Sequence, residues 1–379
     1  MAGIYIHVPF CHRKCSYCDF YSVGKNKLND DFPELVVREL NLRKAYLPTN
    51  QIETIYFGGG TPSLLKAKQV EEILTGIRNT FLISSDAEIT LEANPDDLTL
   101  ELLHGYKKAG INRASIGVQS FNDNELEFLG RRHNAQRAFD ALKQIYQAEI
   151  LNVSLDLIYG LPNSSINSWE FSLKKAIELG VQHLSCYHLT YEESTPLTRK
   201  LNKGLFDSVD EELSIRQFDL LRQITQENGY LHYEISNFAK EGFISKHNSS
   251  YWQGIPYLGV GPSAHSFNIE TRQWNPASIE EWANGIKESK PTFQSEEINE
   301  TSRFNEFLLT RLRTIWGVDL NFVANNFNEK HIKFLQAEMN KHIKQGNLVL
   351  NDGILRIPSQ KYFISDKILE DLFFIEEQI

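Results

Sequence analysis

Long apolar runs and an excess of positive charge are both missing from this sequence. No run approaches the roughly 18 apolar residues that a membrane-spanning helix requires. Lys and Arg total 39 against 49 Asp and Glu, and the resulting net charge of -10 disfavours nonspecific nucleic-acid binding, which depends on basic residues. We therefore expect no membrane span and no nucleic-acid partner.

Cysteine is scarce as well, with four residues in a chain of 379. Three of them cluster near the start, whereas Cys186 falls within a strand pattern and is interpreted as a small buried hydrophobe. The first apolar stretch, "IYIHVPF" (4–10), is short and lacks a basic leader, so it predicts no cleaved signal peptide. We expect a reducing, cytoplasmic setting, in which clustered cysteines more often bind metals or act in redox chemistry than form disulfides.

What the sequence does contain is a regular alternation of strand and helix patterns. From residue 3 to about 236, short β-rich runs, from "IYIHV" (4–8) to "LHYEIS" (231–236), alternate with amphipathic stretches such as "VEEILTGIRNTF" (70–81). Each parallel crossover needs a helix, so six or seven such units predict a mostly parallel α/β sheet. We interpret residues 1–236 as a full or partial (β/α) barrel.

The rest of the chain has a different pattern. Residues 237–300 are rich in Gly, Pro, Ser and aromatics with little periodicity, which predicts an ordered loop region that connects two domains. Residues 301–379 show helical patterns followed by a hairpin around Asn-Asp-Gly (351–353), which predicts a small winged-helix-like α+β domain. This segment carries as many basic as acidic residues, so a structural or partner-docking role is preferred over DNA binding.

The cysteine cluster is the sharpest chemical signal. Cys11, Cys15 and Cys18 lie in "FCHRKCSYCDF" (10–20), directly after the first predicted strand, where the catalytic loops of a barrel are found. Three thiolates from one loop can hold three irons of a [4Fe-4S] cluster and leave the fourth iron open. Two alternatives remain. The first is a zinc site, which needs four ligands, although only the adjacent His12 is near in sequence. The second is that the three are ordinary buried cysteines.

A pocket is predicted at the ends of the following strands. "FGGGTPS" (57–63) follows the second strand, and its glycines would let a ligand approach the backbone, although a tight turn is the alternative. Glu92, Gln119 and Asp156 then close three apolar strands. Each is also interpretable as a strand-end cap, but together they would form a polar ring at one barrel mouth. Arg131 lies just beyond Gln119, and its planar guanidinium suits a carboxylate.

The C-x3-C-x2-C spacing, with Tyr17 before the last cysteine, resembles the signature of radical S-adenosylmethionine (SAM) enzymes. The resemblance implies a [4Fe-4S] cluster on the three cysteines, with the amino and carboxylate groups of SAM on the open iron. It also implies cleavage of SAM to methionine and a 5'-deoxyadenosyl radical, with an electron donor such as a flavodoxin or ferredoxin.

The glycine loop and the polar ring resemble those of the oxygen-independent coproporphyrinogen III oxidase family. This resemblance implies a role for each residue around SAM. The amino group would contact Gly59, Gly60 and Thr61, the methionyl end would contact Glu92, the ribose would contact Gln119 and Asp156, and the adenine would lie near Thr190, with Tyr5 and Tyr17 flanking the cluster. Arg131 is our choice for the carboxylate, because its planar guanidinium suits that group.

Three features point to one branch of that family. Phe20 stands where the oxidases carry a fourth cysteine, and the oxidases have an N-terminal extension that we expect this chain to lack. "HNSSYW" (247–252) is similar to the H-N-x-x-Y-W motif of the HemW branch, described as haem chaperones. The resemblance implies haem contact through His247, a candidate iron ligand, and through the flat faces of Tyr251 and Trp252. The alternative for His247 is a loop histidine bonded to backbone.

Two functions therefore remain open. The first, favoured by Phe20 and the HNSSYW motif, is a haem chaperone that binds haem or a porphyrin and a SAM-chelated cluster and hands haem to an acceptor haemoprotein. The second is oxidative decarboxylation of two propionates of coproporphyrinogen III to vinyl groups. The complete ring of expected SAM ligands keeps this second function open.

Overall fold

The computed structural model describes residues 1–24 and 27–376. These residues form one twelve-stranded sheet and one separate three-stranded sheet. The domains predicted from the sequence also include residues 25–26 and 377–379, which lie outside the described part of the chain. Among the described residues, no helix is both long and apolar enough to cross a membrane.

Six parallel strands in chain order form the centre of the large sheet. They are β1 Ala2–Val8, β2 Gln51–Gly59, β3 Leu82–Ala93, β4 Arg113–Gln119, β5 Asn152–Tyr159 and β6 His183–His188. The helices that follow them are α1 Phe32–Arg43, α2 Ala67–Thr80, α3 Leu100–Ala109, α4 Asp123–Leu129, α5 Ala135–Gln147, α6 Ile166–Glu178, α7 Pro196–Asn202 and α8 Glu211–Glu227. The predicted α/β class with repeated βα units is confirmed.

Side chains alternate between the two faces of these strands, because successive residues of a strand point to opposite sides. In β1, Ile4, Ile6 and Val8 are fully buried in the hydrophobic core. Tyr5 and His7, which lie between them, face the barrel interior and contact each other there. The same alternation recurs in the neighbouring strands. One face of the sheet therefore packs under the helices, and the other lines the barrel with polar groups.

Residues 237–300 extend this sheet, so the prediction of a loop region was wrong. The elements from residue 231 to residue 297 are β7 Leu231–His232, β8 Asn237–Ala239, α9 Lys246–Trp252, β9 Tyr257–Val260, β10 His265–Phe267, β11 Thr271–Trp274, α10 Ile279–Lys287 and β12 Gln294–Glu297. β9 runs parallel to β1 on its free side, and β10 to β12 continue the sheet antiparallel. The predicted strand 231–236 is reduced to β7, which pairs antiparallel with β8 at the other edge.

The barrel is open. In the described part of the chain, the edge strands β12 and β7 do not pair with each other. The sheet also crosses the predicted boundary between residues 236 and 237. The partial barrel is thus confirmed, whereas the division of the chain into three folding units stays a prediction.

Two buried charged residues of α1 attach the added strands to the barrel. Arg43 donates to Glu39 at 2.8 Å, to the Gly259 carbonyl at 3.0 Å and to Asn275 at 3.0 Å. Trp282 Nε1 donates to the other oxygen of Glu39 at 2.7 Å. Buried charges are tolerated when they are paired and hydrogen-bonded, as both are here. This network fixes β9 beside β1.

A small α+β unit follows the sheet. Its elements are α11 Glu300–Leu312, β13 Val318–Asp319, α12 Leu320–Asn326, α13 Glu329–Lys344, β14 Val349–Asn351, β15 Ile354–Arg356 and α14 Ser365–Asp371. The strands are ordered β13-β15-β14. Asp352 and Gly353 join β14 to β15 with φ values of 52° and 78°, as a two-residue hairpin requires. The predicted winged-helix-like arrangement is confirmed.

Candidate functional site

The three clustered cysteines lie in a closed loop at the carboxyl end of β1. At the base of the loop, the Cys11 N–H donates to the Val23 carbonyl at 2.9 Å. Near its tip, the Ser16 N–H donates to the Leu129 carbonyl at 3.2 Å, and the Ser16 carbonyl accepts from the Leu197 N–H at 2.9 Å. The loop is therefore fixed to the segments that follow β4 and β6, which hold it over the barrel mouth.

All three thiols of this loop are free and half-buried. The Cys11 sulfur lies 3.1 Å from the Thr61 hydroxyl, and the Cys15 sulfur accepts from Arg131 Nη1 at 3.4 Å. In the described part of the chain, no three His, Cys, Asp or Glu side chains lie close enough to bind one metal ion, so the zinc alternative finds no ligand set there. A [4Fe-4S] cluster does not need such a group, because each thiolate binds a different iron.

Arg131 joins the cysteine loop to β4. Its Nη2 donates to the Gly117 carbonyl at 2.5 Å, and its Nη1 donates to Cys15. Its Nε is buried without a hydrogen-bond partner, although buried donors are nearly always bonded. An anionic group on this side of the guanidinium would supply the missing acceptor, so Arg131 fits the carboxylate of SAM. The neighbouring Arg132 instead forms an ion pair with Asp97 at 2.6 Å.

The glycine loop after β2 passes too close to β1 for any side chain. Gly59 has a φ of 101°, and a Cβ there would lie 2.6 Å from the ring of His7. A Cβ on Gly60 would lie 2.8 Å from the carbonyls of Val8 and Phe10. Both positions therefore require glycine. This close passage brings the next residue, the predicted SAM ligand Thr61, against the cysteine loop.

Two carboxyl groups lie inside the barrel below its mouth. Glu92 accepts from the Tyr56 hydroxyl at 2.7 Å, and Asp156 accepts from the Ser115 hydroxyl at 3.2 Å. Burial raises the pKa of Glu92 to about 7 and that of Asp156 to about 6, and the Asp156 carboxylate adds to the effect on Glu92. Both groups can therefore exchange protons near neutral pH, as groups at functional sites often do.

Gln119 ends β4 in an unusual backbone conformation. Its φ is 71°, and the pairing of β4 with β5 shifts register between Gly117 and Gln119. A bulge of this kind turns a side chain away from the direction that the strand would give it. The amide of Gln119 folds over Gly117, where a Cβ would lie only 2.9 Å from Nε2 of that amide. Gln119 therefore lies on the same strand end that anchors Arg131.

The remaining predicted SAM residues lie at different depths. Tyr17 belongs to the cysteine loop and lies near Arg131, whose charge acts on the pKa of its hydroxyl. Tyr5 lies deeper in the barrel, where its hydroxyl donates to His7 Nδ1 at 3.2 Å, and no bond joins it to the loop among the described contacts. Thr190 follows β6 and is exposed. Phe20, on the outside of the loop, is 65% exposed.

Three interior residues escaped the sequence analysis. His7 Nε2 donates to the Tyr21 carbonyl at 2.9 Å beneath the glycine loop. Tyr56 bonds Glu92, and Tyr187 shares the interior face of β6 with Ser185. Each alternates with apolar residues on its strand, and this period of two would have identified them as lining the barrel.

His247 of the HNSSYW motif lies at the opposite, amino end of the barrel. It contacts Thr54, which lies five residues before Gly59 on β2, or about 16 Å along the strand. Its Nδ1 lies 2.8 Å from the Thr54 hydroxyl and its Nε2 lies 2.9 Å from the Tyr251 hydroxyl. Burial lowers the pKa of His247 to about 3, so the ring is neutral. With both nitrogens bonded, His247 is not open to iron in this arrangement, and its partners are side chains rather than backbone.

Helix α9, which carries this motif, closes the amino end of the barrel. The N–H groups of Lys246 and His247 donate to the Glu88 carboxylate at 3.0 and 2.9 Å. The buried Arg113 lies 3.9 Å from the same carboxylate. Trp252 ends the helix and is half-buried. The motif therefore packs into the fold, on the far side of the barrel from the cysteines.

Comparisons with known proteins agree with this geometry. Residues 5–176 match the profile of the radical SAM superfamily. The Heme chaperone HemW of Lactococcus lactis is 32% identical, over 92% of this chain and 90% of its own. The Heme chaperone HemW of Bacillus subtilis is 34% identical, over 86% of this chain and 87% of its own.

The fold has a solved counterpart. The coproporphyrinogen III oxidase HemN from Escherichia coli, a radical SAM enzyme, superposes with a TM-score of 0.84 over 98% of this chain and 90% of that one. At 19% identity this likeness establishes the fold alone. The sequence identities to two curated relatives over most of both chains go further, and they show that the chain belongs to the HemW family of the radical SAM superfamily.

Proposed function

We propose that this chain is a haem chaperone that binds haem and a SAM-chelated [4Fe-4S] cluster and delivers the haem to an acceptor haemoprotein. The observation that carries the proposal is the match to two relatives named Heme chaperone HemW, over 92% and 86% of this chain. Phe20 supports it, because the oxidases that the sequence resembles carry a cysteine at that position. A reducing, cytoplasmic setting suits the free thiols.

In this proposal, Cys11, Cys15 and Cys18 hold the cluster over the barrel mouth. When bound, the cluster supplies an open iron and one electron to SAM, and a flavodoxin or ferredoxin would provide that electron. The loop contributes rigidity, because hydrogen bonds at its base and tip fix the three thiols. Arg131 contributes positive charge beside Cys15.

Different residues of the protein would bind different parts of the SAM molecule. The buried Nε of Arg131 would donate to the carboxylate, and Glu92, held by Tyr56, would accept from the amino group. The remaining contacts follow the family pattern. Gly59, Gly60 and Thr61 would hold the amino group as well, Gln119 and Asp156 the ribose and Thr190 the adenine, with Tyr17 and Tyr5 near the cluster.

The HNSSYW motif enters this proposal in a changed role. His247 would position Tyr251 through the 2.9 Å bond to its hydroxyl, and would not itself bind iron. Tyr251 and Trp252 would offer aromatic surface near the haem. A spectrum that reports histidine ligation from His247 would require α9 to leave the barrel end, and would contradict this role.

The alternative function is the oxidation of coproporphyrinogen III. The ring of buried carboxyls, Arg131 and glycines at the barrel mouth supports SAM binding equally well under both functions. The two functions differ in what happens after SAM is bound, so assays of haem transfer and of protoporphyrinogen formation distinguish them.

One experiment separates the two functions. Anaerobically reconstituted protein is loaded with haem and mixed with apomyoglobin, and haem transfer is followed by absorbance. In parallel, the same protein receives SAM, a reductant and coproporphyrinogen III, and protoporphyrinogen is measured. We expect haem transfer and no protoporphyrinogen. Repeated conversion of coproporphyrinogen III without haem transfer would replace the chaperone with the enzyme.

A further inference from the structure

A cavity of about 420 Å³ lies where the amino end of the barrel meets the C-terminal unit. Its walls come from the segment between α9 and β9, from β10 and β11, and from α11 and α12. His247 lies between this cavity and the barrel interior, because Tyr251 lines the cavity and bonds His247. The cavity is therefore separate from the SAM site at the opposite end.

Aromatic rings form much of the cavity wall. Tyr251 and Tyr257 meet edge to face with ring centres 4.7 Å apart. Phe307 and Phe322 stack with ring centres 4.8 Å apart, and Phe267 lies beyond Tyr257. Flat rings of this kind offer a large apolar contact area to a flat ligand.

Three arginines and one glutamate line the cavity. Arg272 is paired with Glu296 and Glu306, each at 2.8 Å. Among the described residues, no ion pair joins Arg303 or Arg311 to a carboxylate, although both line the cavity. Arg311 donates to the Gln253 carbonyl at 3.2 Å, and burial lowers its pKa. Two cations are thus available to an acidic ligand.

The two arginines and one of the rings share one side of α11. Arg303, Phe307 and Arg311 follow each other at four-residue spacing, which places them in a row along the helix. Arg311 also lies over the Phe307 ring, 5.7 Å from its centre. Phe322 and Arg311 already cover Phe307, so a ligand would reach only the edge of this ring, with a guanidinium on each side along α11.

We propose that this cavity is the haem site, with the porphyrin ring against the aromatic wall and its carboxylates paired with Arg303 and Arg311. The inference rests on the proposed chaperone function and names the place and chemistry of binding. The cavity volume falls within the range of about 300–1,000 Å³ that is usual for small-molecule sites. A porphyrin has an apolar ring and carboxylates, which match the aromatic residues and the arginines of the cavity wall.

Recognition at this site would use the ring and its acidic groups rather than the iron. Among the described residues that line the cavity there is no histidine or cysteine. Burial raises the pKa of Tyr257 to about 12, so its hydroxyl stays protonated at neutral pH and is a poor iron ligand. A porphyrin without metal should therefore bind as well as haem, and loosely held iron suits a protein that must release its haem.

The test uses the full chain with a reconstituted cluster. Metal-free protoporphyrin IX and its dimethyl ester are titrated, and binding is followed by porphyrin fluorescence. We expect the free acid to bind wild type about 10–100-fold more tightly than the ester, because charge-assisted bonds contribute in that range. The variant Arg303→Gln/Arg311→Gln should bind acid and ester alike. Arg216→Gln, which removes an exposed arginine of α8, should retain the wild-type preference.

A second variant tests the aromatic wall. Phe322 is 44% exposed, so Phe322→Ala should leave the fold intact while weakening acid and ester by the same factor of several-fold. Equal binding of acid and ester by wild type, or an unchanged preference in the double arginine variant, would overturn this site, while haem transfer by wild type would still support the chaperone function. Failure of wild type to bind either haem or protoporphyrin IX would overturn the function and the site together.

Discussion

The two ends of the barrel share six strands but present their polar groups differently. At the carboxyl end, the thiols are half-buried and the Nε of Arg131 has no partner. At the amino end, His247 is bonded at both nitrogens and Glu88 accepts from the start of α9. Arg113 and Ser249 are exceptions, since two Arg113 nitrogens and the buried Ser249 hydroxyl on α9 lack partners, but Glu88 lies 3.9 Å from Arg113 and balances its charge.

This difference separates residues that await a ligand from residues that complete the fold. The sequence predicts a ligand contact for both Arg131, from its guanidinium, and His247, from a family motif, and it does not distinguish the two. Arg131 keeps hydrogen-bonding capacity at a site that is open to a ligand. Both ring nitrogens of His247 are bonded within the protein, and a haem contact of this residue stays a prediction. Four variants, each compared with a second variant, test this difference.

The cysteine variants should have the largest effect. Cys15→Ala should lose the cluster, from about four irons per chain to none, because two thiolates cannot hold the cube in place. Cys186→Ala is the matched control, since Cys186 is 2% exposed within the hydrophobic core. Iron and sulfide are counted after anaerobic reconstitution. Equal losses in the two variants would remove the distinction between loop and core cysteines.

His247→Ala should destabilise the amino end. The change opens a cavity and leaves the hydroxyls of Thr54 and Tyr251 without their partner, at a cost of about 2–4 kcal/mol in the free energy of unfolding. His12→Ala, an exposed histidine in the cysteine loop, should change it by less than about 0.5 kcal/mol. Chemical denaturation measures both. A fully stable His247→Ala protein with an altered haem spectrum would make His247 a ligand after all.

Arg131→Ala should weaken SAM binding by about ten- to a hundredfold, or roughly 1.5–3 kcal/mol, because a charge-assisted bond to the carboxylate is lost. Arg132→Ala removes the ion pairs with Asp97 and Asp96 and should leave SAM affinity unchanged. Calorimetric titration of the cluster-loaded proteins compares them. Equal affinities for all three proteins would show that the unpartnered Nε does not face SAM.

The smallest expected effect concerns pH. The pKa of Glu92 is raised from 4.5 to about 7, by burial and by Asp156, while Tyr56 and Arg113 act in the opposite direction. The folded state therefore holds this proton more tightly than the unfolded state. That contribution is complete below pH 4.5 and is lost as the pH rises through 7.

Between about pH 5.5 and pH 8, the loss should amount to roughly 1–2 kcal/mol of unfolding free energy. Glu92→Gln removes the titrating group, so its stability should vary less with pH over the same range, in protein without SAM. Tyr56→Phe keeps the carboxyl and removes a bond that lowers the pKa of Glu92, so its stability should depend on pH at least as strongly as that of wild type. An identical pH dependence in wild type and Glu92→Gln would show that Glu92 does not hold its proton near neutrality.

Much of the barrel could be predicted from the sequence, because long alternating patterns carry a strong periodic signal. The six central strands and the position of the cysteine loop follow from it. The strands β9 to β12 could not be found this way, since each has three or four residues and they lie among turns. The place of β9 beside β1 depends on the buried contacts of Arg43 and Glu39, which sequence periodicity does not show.

The site shows the same division. The carboxyl-end residues could be located because polar side chains at the ends of parallel strands share one edge. The depth of Tyr5 and the burial of His247 could not, because they depend on which side chains fill the barrel from the other end. The family resemblance identifies residues at both ends of the barrel, but it does not give the distance along the barrel between them.

The position of β1 has a consequence for the order in which the protein is made. β1 pairs with β2 on one side and with β9, which ends at Val260, on the other. At about 5–20 residues per second, translation reaches that strand on the order of ten to fifty seconds after β1 has been made. During this interval the strand that carries the cysteine loop has one unpaired edge. A cluster inserted before then would bind a loop whose strand, β1, is not yet paired with β9.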